Sequence, residues 1–129
     1  MEILVNKWFD RWRRKEAISD AAICKAVDEI ETGLFDANLG GGLYKKRVAA
    51  PGKGKSGSYR TLLAFKSGAR TCFVFGFAKS ARANIDAKEE KALKALAKAL
   101  LGYNATAIRK AIEANELREV RCDDEQKKD

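Results

Sequence analysis

The spacing of apolar residues changes twice along the chain, and each change marks a new kind of element. Val5, Trp8, Phe9 and Trp12 recur at i, i+3, i+4 and i+7, the spacing of one helix face. Arg11, Arg13, Arg14 and Lys15 fall on the other faces. Ile3-Leu4-Val5 reads equally well as the start of a short strand, so that boundary stays open. Ser19 is a good N-cap and Asp20 suits a first turn. Ile23, Ala26, Val27 and Ile30 then carry a second apolar stripe, and Gly33 is a suitable stop. The two segments predict an N-terminal helical hairpin.

At Leu39-Gly40-Gly41-Gly42 the period shortens. Leu43 to Ala50 is β-compatible and rich in cations, and Pro51 to Ser58 has the composition of a flexible loop. Tyr59 to Lys66 predicts a strand, Ser67-Gly68 a tight turn, and Arg70 to Phe77 a further strand. Cys72, Phe73, Val74, Phe75 and Phe77 make that last strand the most buried. Two strands so closely linked pair antiparallel.

Helical spacing then returns. Asp86-x-x-Glu89 resembles a capping box, followed by the stripe Leu93, Leu96, Ala97 and Leu100. Gly102 closes this helix. Asn104 caps a shorter one through Ile108, Ala111 and Ile112, and Leu117 to Val120 can add an edge strand. The class is α+β: a small antiparallel sheet of three to five strands, with the helical hairpin before it and helices after it. Residues 1–121 read as one domain and 122–129 as a polar, disordered tail.

Charge adds direction to this outline. The 129 residues carry 26 Lys and Arg against 18 Asp and Glu, a net charge of +8. Between Asp36 and Asp86 lie Lys45, Lys46, Arg47, Lys53, Lys55, Arg60, Lys66, Arg70, Lys79 and Arg82, with no acid among them. That leaves sixteen bases against eighteen acids elsewhere, a balance of −2. A segregated field of this kind attracts polyanions, so nucleic acid or another acidic surface is the expected partner.

Other compositional features narrow the chemistry. No run of about 18 uncharged apolar residues predicts a membrane span, and the charged N-terminus is unlike a signal peptide. Three widely spaced cysteines (Cys24, Cys72, Cys122) suggest neither a disulfide framework nor a zinc site. They suit a reducing cytoplasm, with Cys24 and Cys72 as packed small hydrophobes. The absence of histidine removes the commonest general base and metal ligand. Gly54-Lys55-Ser56 imitates part of a phosphate-binding P-loop, but the required first glycine would be residue 49, which is Ala49, and a strand follows instead of a helix. The aromatics of the strands, and Trp8 and Trp12, read chiefly as core, or in the case of the tryptophans as partner-facing anchors.

Three segments in order, Leu39 to Val48 (LGGGLYKKRV), Gly54 to Leu62 (GKSGSYRTL) and Phe75 to Ile85 (FGFAKSARANI), resemble the RelE/HigB-type toxins of bacterial toxin–antitoxin pairs. Within these, the resemblance is to the branch in which a GKSGGYR segment precedes an FAKN-R-NI segment. Ser58 replaces the usual glycine and Ser80 the usual asparagine. The resemblance implies an antiparallel sheet flanked by helices and cleavage of messenger RNA in the ribosomal A site, without metal or cofactor. It also implies a cognate antitoxin, of helix-turn-helix type by family habit, and contact with operator DNA only through the antitoxin complex. The implied catalytic candidates are Lys45, Arg47, Arg60, Lys79 and Arg82; Ser80 and Asp86 stand where RelE proteins have a site arginine and a tyrosine. Lys46, Lys53, Lys55, Tyr59 and Arg70 are candidate RNA-binding residues, with Tyr44 as an alternative stacking group.

In such a cleavage the 2′-hydroxyl attacks its own phosphodiester. Without histidine, a lysine crowded by other cations is the expected base, because like charge favours its neutral form; Lys45 and Lys79 are the candidates. Arg60 and Arg82 are expected to clamp the phosphate. Two other functions remain open: a gyrase-inhibiting toxin of the ParE type, and a nucleic-acid-binding module without catalysis.

Overall fold

The computed structural model describes residues 1–50 and 54–122. The chain opens with strand β1 (Glu2–Asn6), then helices α1 (Lys7–Lys15) and α2 (Asp20–Glu31). Strands β2 (Ala37–Gly40), β3 (Leu43–Ala50), β4 (Gly54–Lys66) and β5 (Arg70–Ala78) follow, then α3 (Ala87–Gly102), α4 (Ala105–Glu113) and β6 (Leu117–Glu119). The six strands form one sheet in the order β2-β3-β4-β5-β1-β6.

This differs from the expected sheet of three to five antiparallel strands in two ways. Ile3, Leu4 and Val5 belong to a strand, and β1 runs parallel to β5, with Leu4 opposite Cys72 and Val5 opposite Phe73. Val5 therefore leaves the helical stripe to which its spacing assigned it. Asn6 ends the strand and starts the helix: its side-chain oxygen accepts from Phe9 N at 2.8 Å, while its amide donates to Val74 O at 3.1 Å. β2 was not expected at all, because two of its four residues are polar or glycine. It pairs with β3 across Gly40, Gly41 and Gly42, whose φ angles of 90°, 64° and 85° lie where side-chain-bearing residues are strained.

The N-terminal helices are less a hairpin than two separate covers, α1 over β5 and α2 over β3. Arg13, expected at the surface, is buried between them. It pairs with Asp10 and Asp20 at 2.9 and 2.7 Å and donates to Ile18 O, so one guanidinium fastens the end of α1 to the start of α2. The N-caps fall where expected: Ser19 accepts from Ala22 N and Asn104 from Ala107 N. Gly33, with φ 92°, donates to Ile30 O and closes α2.

Both faces of the sheet are covered, because alternate residues of the central strands are apolar in both directions. On the α1/α2 face, Val5, Phe9, Ile23, Val27, Ile30, Val48, Leu63 and Phe73 pack together. On the α3/α4 face the core is Leu4, Leu43, Leu62, Ala64, Val74, Phe77, Ala97, Leu100 and Ile108. Gly76 faces α1 at a point where any Cβ would collide with the Trp12 ring, so this close approach requires glycine.

The cysteine expectation is corrected. After β6, Val120 N donates to Ile3 O and returns the chain to α2, where Cys122 is disulfide-bonded to Cys24 with a Cα–Cα distance of 5.7 Å. Cys72 is the free, packed thiol foreseen, and burial pushes its pKa up to about 12. The tail expected from residue 122 thus begins with an anchored residue, and 123–129 lie outside the described residues. No helix among those described is long and apolar enough to cross a membrane.

Candidate nucleic-acid interface

Strand alternation sorts the cations of the basic middle onto two faces. Leu43 belongs to the α3/α4 face, so Lys45 and Arg47 share it, while Tyr44, Lys46 and Val48 turn to α2. Arg47 is register partner to Arg60, and Arg60 to Phe77. The three side chains therefore stand in a row across β3, β4 and β5, on the face of Leu62 and Ala64. Beyond β5 the chain folds back, bringing the Arg82 guanidinium 5.5 Å from the centre of the Phe77 ring. Lys45 Nζ reaches Asn84 Oδ1 in the same loop, at 3.4 Å. Lys45, Arg47, Arg60 and Arg82 thus meet at one end of one face, beside the N-terminus of α3. Lys79 is exposed just past β5, and its backbone N donates to Ser58 O.

Carboxylates hold two of these cations in place. Asp36, immediately before β2, forms an ion pair with Arg60 Nε at 3.3 Å and accepts from Arg47 N at 3.3 Å. Arg60 also donates to Ser58 Oγ at 3.0 Å, and its side chain is only 13% exposed. Arg82 forks onto Glu89, with Nη1 at 3.0 Å and Nη2 at 2.5 Å from its two oxygens, and gives its Nε to Asn84 O. Glu89 completes the expected capping box, accepting from Asp86 N while Glu89 N donates to Asp86 Oδ1. The Glu89 hydrogen bonds raise the pKa of Arg82, and those from Arg82 and from the Asp86 backbone lower that of Glu89. Arg82 is therefore a strut between the loop and α3. Among the described residues, Lys45, Arg47 and Lys79 have no carboxylate partner.

Other sequence candidates lie elsewhere. Lys46 is 5% exposed and paired with Glu29 of α2 at 2.9 Å, where strand parity carries it. Tyr59 is on the same face, edge-on to Trp12 with ring centres 5.4 Å apart. Its hydroxyl donates to Glu16 Oε1 at 3.0 Å, and burial, then the Glu16 contact, raises its pKa. Tyr44 is wedged between Phe35 and Phe65. Arg70 is at the opposite end of β5, bonded to Glu2 at 2.6 Å and to the carbonyls of Leu100 and Tyr103 at 2.8 Å. It caps the C-terminus of α3, where carbonyls lack helical partners. Lys53 lies outside the described residues, and of the Lys55 side chain nothing is described.

Sequence reasoning missed Asp36, Ser58, Asn84 and Glu89 as members of the site. In the sequence Asp36 is only a border of the acid-free stretch and Glu89 only part of a capping box, yet these two carboxylates orient Arg60 and Arg82.

No curated protein matches the chain. A family model described as the RelE toxin of the RelE/RelB toxin–antitoxin system matches residues 1–120, which takes in every element of the sheet and the whole cation cluster. The chain belongs to the RelE toxin family and is a toxin of a toxin–antitoxin system.

Proposed function

We propose that this toxin is an endoribonuclease that cuts messenger RNA on the ribosome, in the cytoplasm, by attack of a 2′-hydroxyl on the adjacent phosphodiester. One observation carries the reading: Lys45 and Arg47, cations without carboxylate partners among the described residues, flank the held Arg60 on one face, with Lys79 exposed just past the neighbouring strand. The reaction makes the 2′-O–P bond, breaks the P–O5′ bond, and leaves a 2′,3′-cyclic phosphate and a 5′-hydroxyl. Charge accumulates on the non-bridging oxygens, so preorganised donors beside them lower the barrier. Arg60, fixed by Asp36 and Ser58 with other N–H groups to spare, is suited to that task, and Arg47 adds charge beside it. Lys45 or Lys79 takes the 2′ proton, since the chain contains no histidine. Arg82 positions the loop that carries Lys79 and Asn84. The antitoxin, by this reading, presents acidic groups that cover the same face. Primer extension in a translating extract tests the assignment: Arg60→Ala with Lys79→Ala should reduce cutting by about a hundredfold or more, and cutting equal to wild type overturns it.

A further inference from the structure

A strip of aromatic rings leads away from the cation cluster. Phe77, beneath Arg82, is followed by Phe75 with ring centres 6.4 Å apart. Trp8 of α1 stacks on Phe75 at 4.5 Å and 27°. Trp12 lies beside Trp8, its ring nearly parallel at 15° with centres 6.1 Å apart, over Gly76. The contact exists because the pairing of β1 with β5 ends at Val5 and Phe73, so α1 begins early enough to lay Trp8 against the rim of β5. Trp8 is 46% exposed, although a ring of its size is ordinarily well buried. Beyond it, Lys7, Arg11 and Arg14 form the neighbouring stripe of α1. They border a cleft of about 420 Å³ that Arg118 also lines. Of the acids there, Asp10 is paired with Arg13 and Arg14, and Glu119 with Arg121.

We propose that Trp8, backed by Phe75, is a stacking platform for an RNA base, adjoining the phosphates held by Lys45, Arg47 and Arg60. This rests on the RNA-cutting reading and adds where a neighbouring nucleotide lies. Aromatic faces flanked by cations are how single strands are held without base-specific hydrogen bonds. The platform lies between two such cationic regions and is continuous with one of them through Phe77 and Arg82. An apolar side chain of a protein partner would need no cations at either end, which favours RNA as the occupant.

The test uses the purified chain and a short single-stranded 2′-O-methyl RNA, which lacks the attacking hydroxyl. Trp8 and Trp12 are the two tryptophans in the chain, so base stacking reads directly as quenched emission. Trp8→Ala should weaken binding by about fivefold to a hundredfold while leaving its salt dependence unchanged. Trp8→Phe should keep the affinity and lose most of the quenching. Arg47→Ala should instead lower the salt slope by about 0.7. Circular dichroism melts check that each variant is folded. If Trp8→Ala binds as wild type does while Arg47→Ala is weakened, the platform belongs to a protein partner and the proposal fails, although the cation reading stands. A wild-type chain that does not bind the RNA overturns both.

Discussion

Antiparallel pairing places Arg47 and Arg60 directly opposite each other, and like charges so placed repel. Asp36 offsets the repulsion by accepting from the Arg47 backbone and pairing with the Arg60 guanidinium. Asp36→Ala should lower stability by about 1 kcal/mol at low salt and by less at high salt, because the loss is partly Coulombic. Denaturant melts at two ionic strengths would reveal it, and a loss independent of salt would argue against charge as the cause. At this scale the sequence was legible through strand parity, which separates Lys45 and Arg47 from Lys46 once β3 is placed. Parity also predicts on which face Tyr59 lies relative to Arg60. It does not reveal which face α1 and α2 cover, so Lys46 and Tyr59 were grouped with residues on the far side of the sheet. The partners of Arg70 were not legible either, since Glu2, Leu100 and Tyr103 meet it only when β1 and α3 dock.

Among the elements, the segment between β5 and α3 joins the site to the helix behind it. Its geometry depends on Arg82 and Glu89, and Glu89 serves the capping box as well. Because the pKa of Glu89 is lowered in the fold, its contribution is present above the ordinary carboxylate range. It is lost as pH falls through the lowered value. Glu89→Gln should therefore melt below wild type at neutral pH, and the two curves should converge in strong acid; a gap constant with pH would mean the carboxylate charge is irrelevant. The capping box was legible because its signature is local. The strand character of β1 was not, since Ile3-Leu4-Val5 fits either element and a parallel neighbour 68 positions away decides between them. β2 was hidden for a related reason: its stability comes from pairing with β3 through the three glycines, and its own residues have little strand propensity.

In the whole molecule, the disulfide and the sheet act on the same segment. Cys24 and Cys122 are separated by 98 residues, and chain-entropy arguments give a cross-link of that span about 4–5 kcal/mol. Reduction, or Cys122→Ser, should lower the urea midpoint accordingly, with α2 and β6 exchanging amide protons sooner than β4. Equal midpoints for the reduced and oxidised chains would show that β6 and the following residues are held by packing alone. Three scattered cysteines gave no hint of this pairing, because only the return of the chain over β1 brings two of them together. The net charge was legible as a segregated field, but the sequence balance of −2 outside the middle concealed the cations of α1. Of the acids beside those cations, Asp10 and Glu119 are already paired with arginines.

The parallel pairing of β1 and β5 has a consequence for synthesis. β1 leaves the ribosome first, yet its hydrogen-bonding neighbour is translated about 70 residues later, and β6, on its other side, later still. Contacts between such distant segments form slowly, and here they must wait for translation itself. Arg82 gains its strut only when α3 has followed. A protein whose proposed target is the translating ribosome is therefore assembled in an order that leaves its cation cluster incomplete until α3 has been made.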